Sequence, residues 1–166
     1  MKKFFFISSI IVFLSCDNQL ISNWQVPEFF EGELLWVKLY GGSNEDIARS
    51  IIETSDGGYA VLGNTKSQDG DVSEKNTSDR DWFFLKLDQN GDILWKKIYG
   101  GSGDDHGHSV IQTEDKGYIL AGYTSSKDGD IDSITAYDDI LQNGDPHDKW
   151  VIKIDQFGNI LWQNVY

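Results

Sequence analysis

The chain has 166 residues, 39% of them hydrophobic and 13% aromatic, which is enough apolar material for one compact domain. Its formal net charge of −13 repels phosphate backbones and anionic headgroups, so nucleic acid is excluded as a partner and cations are the natural small ligands. The single cysteine, Cys16, excludes an intramolecular disulfide.

Residues 1–15 predict a signal peptide. Two lysines precede an apolar run at 4–14, which is too short to cross a bilayer as a helix. The segment Phe13-Leu14-Ser15-Cys16 resembles a bacterial lipobox, which implies cleavage before Cys16 and acylation of its thiol. We therefore expect a lipoprotein of the cell envelope, anchored in the outer membrane of a Gram-negative bacterium, with residues 16–33 as lipidated Cys and tether. The alternative is an ordinary secretory signal, or a signal anchor, with a coincidental cysteine.

The remaining chain, 34–166, predicts an all-β domain built from an internal repeat. Trp36–Ser73 aligns with Trp95–Asp132 without a gap, and half of the aligned positions carry the same residue. Repeat 1 covers about 41–99 and repeat 2 about 100–166. Repeat 2 is the longer because it carries an insertion between its second and third predicted strands, a position typical of loops.

Each repeat predicts four antiparallel strands. β-branched and aromatic runs mark the strands, and glycine-containing turns separate strands one and two, and strands three and four. Long acidic loops join strands two and three. The predicted strands are Leu34–Tyr40, which precedes the first repeat, then Ser50–Thr54, Tyr59–Thr65, Trp82–Asp88 and Ile93–Tyr99, and finally Ser109–Thr113, Tyr118–Thr124, Lys149–Asp155 and Ile160–Tyr166.

The repeated phrases carry a family resemblance. YGGS-x-x-D, DGGY, G-x-T-x-S-x-D-G-D, K-x-D-x-x-G and ILW resemble the repeats of bacterial β-propeller lipoproteins and surface proteins, especially of Bacteroidetes type. The resemblance covers about 34–166 and implies repeated four-stranded antiparallel sheets arranged as β-propeller-like blades. It gives about two blades and an incomplete ring, since propellers have at least four.

The motif Trp-x-x-x-Tyr-Gly-Gly-Ser, found at 36–43 and 95–102, recurs at 162–166 without its Gly-Gly-Ser. This favours a fragment or an early stop. The alternatives are two stacked sheets with exposed faces, and several chains that associate to complete a ring.

In an up-and-down sheet, the Gly-Gly-Ser linkers and the Asp-Gly-Asp loops share one face, which is strongly acidic. Asp128, Asp130 and Asp132 alternate there and resemble the first half of a calcium loop. Calcium is thus the one cofactor that the sequence suggests. The alternative is no cofactor, with these residues forming turns that are solvated and capped locally.

A second cluster precedes the first strand of repeat 2. It is a candidate ligand-binding site formed by Asp104, Asp105, His106 and His108. Repeat 1 has Ile47 and Arg49 in place of the histidines, so the repeat itself does not require them, and ordinary loop histidines are the alternative. The repeated Asp46 and Asp105 predict carboxylates that accept backbone N–H bonds at the entrance to the first strand.

Aromatic residues recur on the last strand of each unit. The residues are Trp36, Tyr40, Trp95, Tyr99, Trp162 and Tyr166. Their spacing predicts packing between neighbouring sheets, with a carbohydrate platform as the alternative.

Motifs of catalysis are missing from the sequence, which has no nucleophile elbow, phosphate loop or zinc spacing. We therefore expect a non-catalytic envelope protein that binds a protein or glycan through its acidic loop face. The alternatives are the N-terminal part of a larger propeller enzyme and a structural remnant without activity.

Overall fold

A computed structural model describes residues 5–7, 10–14, 36–131 and 148–166 of the chain. Within these ranges the regular secondary structure is β-strand apart from one short 3-10 helix at Gly70–Val72, which confirms the all-β prediction. No helix among these residues is long and apolar enough to cross a membrane. Cys16, the predicted tether and Asp132 lie outside the described residues.

The strands of the described residues form three sheets. They are β1 (Phe5–Ile7), β2 (Ile10–Leu14), β3 (Trp36–Tyr40), β4 (Asp46–Glu53), β5 (Tyr59–Thr65), β6 (Asp81–Leu87), β7 (Ile93–Tyr99), β8 (Asp105–Gln112), β9 (Tyr118–Thr124), β10 (Asp148–Ile154) and β11 (Ile160–Val165). The first sheet is antiparallel with order β4-β5-β6-β7, and the second has order β8-β9-β10-β11. The third, the N-terminal sheet, has order β1-β2-β3.

The first strand of each repeat begins earlier than the sequence predicted. β4 starts at Asp46 and β8 at Asp105, so part of each predicted linker is strand. Both strands carry a register shift, between Ala48 and Ser50 in β4 and at the equivalent place in β8. Such a bulge interrupts the alternation of inward and outward side chains, which hides the start of the strand from a pattern of period two.

The first and second sheets pack face to face around one hydrophobic core. Trp82 and Phe84 from β6 meet Leu120, Trp150 and Ile152 from β9 and β10, and all are fully buried. The rings of Trp82 and Trp150 lie 4.5 Å apart between their centroids. The two sheets are stacked and do not close on each other.

The opposite face of the first sheet is covered by β3. A second core there joins Tyr40 to Val61, Phe83, Leu85 and Leu87. The first sheet is therefore buried on both faces, which explains why every residue of β6 is buried.

The partner of β3 within its own sheet is β2, and the two strands are parallel. The residues of β2 belong to the predicted signal peptide. Removal of residues 1–15 would take away both β1 and β2 and leave β3 without a hydrogen-bonded strand among the described residues.

Candidate binding surface at the loop face

In the first repeat, the Gly-Gly-Ser linker is hydrogen-bonded to the acidic loop that follows β5. The amide of Gly41 donates to Oδ2 of Asp71 at 2.9 Å, and that of Ser43 donates to Oδ1 of Asp69 at 2.7 Å. The amide of Asp71 returns a 2.9 Å bond to the carbonyl of Gly41. The linkers and the Asp-Gly-Asp loops therefore share one face, as the strand order predicted. We call it the loop face.

The second repeat has the same arrangement. Gly100 and Ser102 donate backbone bonds to Asp130 Oδ2 at 3.1 Å and to Asp128 Oδ1 at 2.7 Å. A side chain on Gly101 would place its Cβ 2.4 Å from the carbonyl oxygen of Asp128, so the second glycine of the linker is required by this close approach.

These bonds bear on the predicted calcium site. One oxygen of Asp128 and one of Asp130 accept main-chain N–H bonds, which is the geometry of locally capped turns. Within the described ranges no group of three His, Cys, Asp or Glu side chains is arranged to hold a metal ion. The third proposed ligand, Asp132, falls outside them, and calcium binding stays a prediction.

Asp105 stands at the centre of the second-repeat arrangement and is fully buried. Its Oδ2 accepts bonds from the amide of Gly101 at 2.9 Å and from the hydroxyl of Ser126 at 2.8 Å, and its Oδ1 accepts one from Thr124. Asp46 likewise accepts the amide of Gly42 in the first repeat. The predicted role of these two carboxylates as backbone acceptors is confirmed. Burial raises the pKa of Asp105, and the hydrogen bonds oppose that shift.

The other members of the second cluster lie around Arg80 and Tyr123. Asp104 Oδ1 accepts the amide of Arg80 at 3.0 Å, and Arg80 Nη1 lies 3.2 Å from Nε2 of His106. His106 is buried and stacks on Tyr123 at 4.5 Å, while the exposed His108 lies 5.2 Å from the same ring. Burial, followed by the charge of Arg80, lowers the pKa of His106 to about 4.

Asp105 therefore forms its hydrogen bonds with the Gly-Gly-Ser linker and with residues at the end of β9 and just after it. The structure brings Asp104, His106 and His108 close to one another, whereas Asp105 has a separate, structural role. Arg80, which the sequence did not single out, belongs to the first repeat, where it forms a 2.7 Å ion pair with Glu45, and its contacts with Asp104 and His106 connect the cluster to that repeat.

A cleft of about 640 Å³ opens on the loop face between the two repeats. Its walls come from the loop after β5, the end of β7, the Gly-Gly-Ser linker and the acidic loop of the second repeat. Polar and charged residues dominate the lining, among them Glu74, Asn76, Lys97 and Asp128. All four are exposed and available to a ligand.

A buried ion pair lines the same cleft. Lys75 Nζ lies 3.1 Å from Asp81 Oδ2, and both side chains are less than 5% exposed. The hydroxyl of Thr77 also donates to Oδ2 of Asp81, whereas Oδ1 is buried without a hydrogen-bond partner. Burial raises the pKa of Asp81 to about 6. The only hint of this pair in the sequence is that Asp81 recurs as Asp148.

A repeated ion pair at the opposite end of the sheets is structural. Lys86 lies 2.9 Å from Asp56, and Lys153 lies 2.9 Å from Asp115. Each aspartate sits in the tight turn between the first two strands of its repeat, so each lysine holds that turn against the third strand.

The chain matches no protein-family model, and no curated protein is similar to it in sequence.

Proposed function

We propose that this chain is a non-catalytic, lipid-anchored protein of the cell envelope, whose propeller-like repeats bind a protein or a glycan at the loop face. The observation that carries the proposal is the cleft between the repeats, with exposed polar side chains on walls held in place by backbone bonds. Rigid walls with exposed amide, ammonium and carboxylate groups suit a polar ligand, because little ordering is required when it binds.

The propeller-like arrangement is supported by one contact that occurs twice. Trp36 of β3 lies edge-on to Tyr59 of the first sheet, with 5.9 Å between ring centroids and 69° between planes. Trp95 of β7 makes the same contact with Tyr118 of the second sheet, at 6.3 Å and 68°. Successive units thus follow one another through the same interface, as blades of a propeller do.

The binding function is tested with a glycan array and with defined envelope proteins immobilised on a sensor surface. The processed protein is expected to bind a subset of these probes, and Asn76→Ala combined with Lys97→Ala should weaken binding at least tenfold. The matched control is Asn90→Ala, an exposed asparagine in the β6–β7 turn at the other end of the sheet. Equal loss in the control, or no binding to any probe, would overturn the proposal.

The anchor is tested separately, by labelling cells that express the protein with radioactive palmitate. The wild type should incorporate label and fractionate with outer membranes, and Cys16→Ser should do neither. A labelled Cys16→Ser variant, or an unlabelled wild type, would contradict the lipoprotein assignment while leaving the binding proposal untouched.

A further inference from the structure

The outer face of the second four-stranded sheet, the face turned away from the first sheet, carries apolar side chains. Side chains alternate along strands, and the neighbours of these residues in sequence point into the core between the sheets. Its apolar residues are Ile111, Ile119, Ala121, Val151, Trp162 and Tyr166, and Lys149, Lys153 and Asn164 lie on the same face. Ile111 is 54% exposed, Trp162 44% and Tyr166 71%.

This outer face is the repeat equivalent of a face that is buried in the first sheet. Trp162 pairs with Lys153 in the second sheet, as Trp95 pairs with Lys86 in the first. In the first sheet, Trp95 packs on the next unit through Tyr118. Tyr99, the equivalent of Tyr166, donates a 2.8 Å hydrogen bond across that interface. Trp162 and Tyr166 therefore stand at the positions from which Trp36 and Tyr40, and again Trp95 and Tyr99, contact the next sheet.

From this equivalence, we infer that the outer face of the second sheet binds a second copy of this chain head to tail. Trp162 and Tyr166 of one copy take the position that Trp36 and Tyr40 hold in the other copy, against Tyr59 and the β6–β7 turn. The inference does not depend on any ligand at the loop face.

The acceptor surface in the second copy is occupied by β3, which packs on the first sheet without strand pairing to it. Its contacts with the first sheet include a 3.2 Å bond from Trp36 Nε1 to the carbonyl of Gln89 and a 2.6 Å bond from Tyr40 to that of Gly91. An exposed ion pair joins Lys38 to Asp92. Its strand partner, β2, belongs to the predicted signal peptide. Removal of the signal peptide would thus leave β3 as a single strand. It would compete for the first sheet with the four-stranded second sheet of another copy.

In this exchange β11 brings the aromatic positions of β3 together with the apolar residues of β8, β9 and β10, and Lys149 takes the place that Trp82 has in the first sheet. The exchange gives up the Lys38 ion pair, because Asn164 stands at the equivalent position of β11. An exposed ion pair contributes little to stability, so this loss is small. Each processed copy keeps a large negative charge, which opposes association, so added salt should strengthen it.

Sedimentation velocity of the processed protein, isolated in a mild detergent, tests the inference. We expect concentration-dependent association that becomes tighter with salt. Trp162→Ala and Ile111→Lys should each weaken it at least tenfold, whereas Phe157→Ala, which removes an exposed aromatic side chain outside the outer face, should leave it unchanged. Thermal melting of each variant separates loss of association from loss of folding.

Displacement of β3 is tested in the same assay. Trp36→Ala weakens the hold of β3 on the first sheet, so it should tighten association at least threefold, and Trp162→Ala should abolish that gain. If Trp36→Ala has no effect, the two outer faces meet each other and head-to-tail exchange is wrong. A wild type that stays monomeric at all salt concentrations would also overturn the inference, whether the outer face is open or covered by another segment of the same chain.

Discussion

The phenol of Tyr99 donates a 2.8 Å hydrogen bond to the carbonyl oxygen of Gly158, which joins the last strand of the first sheet to the β10–β11 turn of the second. One unit earlier, Tyr40 makes the same bond to Gly91 at 2.6 Å. The glycines are needed because both turn positions have positive φ, 77° at Gly91 and 85° at Gly158. One tyrosine and one turn glycine thus fix each sheet against the next.

Tyr99→Phe removes this bond and leaves the carbonyl of Gly158 without its buried donor. We expect the free energy of unfolding to fall by about 1 kcal/mol in urea denaturation. Tyr166→Phe, measured at a concentration where the protein is monomeric, is the matched control, because Tyr166 is 71% exposed there, and its effect should stay within about 0.5 kcal/mol. Equal effects of the two substitutions would mean that the bond between the sheets contributes nothing.

The acidic residues of the loop face should differ in their contribution to stability according to burial. Asp105→Ala removes three hydrogen bonds around a fully buried carboxylate, and we expect a loss of about 3 kcal/mol. Asp128→Ala removes one bond at an exposed position and should cost below about 1 kcal/mol. Urea denaturation of both variants provides the comparison.

Asp128→Ala also tests the calcium prediction. Calcium bound at Asp128 would raise the melting temperature of the wild type in millimolar calcium relative to chelator, because binding to the folded state alone stabilises it. Asp128→Ala would then remove the calcium-dependent increase in the melting temperature. With capped turns alone, the melting temperature is the same in calcium and in chelator, and this is the outcome that the main-chain bonds of Asp128 and Asp130 favour.

The strands could be predicted because the repeat shows each of them twice. Tyr59–Thr65, Ile93–Tyr99 and Tyr118–Thr124 have the predicted bounds, and the turn glycines mark where the chain reverses. The starts of β4 and β8 could not be predicted, since a bulge shifts the alternation there.

The roles of the acidic residues were only partly predictable. The repetition of Asp46 and Asp105 indicates a structural carboxylate, because a position kept in both units serves what both units share. In a loop, the sequence alone does not distinguish an aspartate that accepts main-chain N–H bonds from one that binds a cation. The pairing of Lys75 with Asp81 depends on the path of the loop between them, and that of Arg80 with Glu45 on how distant segments meet. The local sequence pattern contains neither.

His106 should make folding stability depend on pH. Its pKa is lowered to about 4 by burial and by Arg80, whereas the unfolded imidazole titrates near 6.5. The unfolded chain therefore binds a proton that the folded chain does not, and stability from this residue is lost as pH falls from 6.5 towards 4. Asp104, which faces the ring with the opposite charge, only partly offsets this effect.

The His106 effect is isolated by comparing the wild type with His106→Gln. Between pH 7 and pH 5, the stability of the wild type relative to the variant should fall by about 2 kcal/mol in urea denaturation. His108→Gln is the control, because His108 is exposed on the same strand and its removal should leave the pH dependence of the wild type intact. A pH-independent difference between wild type and His106→Gln would show that the ring is protonated without cost in the folded state.

Asp81 should make folding stability depend on pH in the opposite direction to His106. Burial raises its pKa to about 6 from 3.8, so the folded chain binds a proton that the unfolded chain does not between these values. The resulting stabilisation is fully present below pH 3.8 and is lost as pH rises through 6, so the wild type should gain about 1 kcal/mol relative to Asp81→Asn between pH 7 and pH 5. Asp79→Asn, an exposed change nearby, is the control and should leave the pH dependence unaltered.

Because the Asp81 and His106 effects on stability have opposite signs, the wild type should have a flatter profile of stability against pH than either variant. A steep wild-type profile would contradict both assignments.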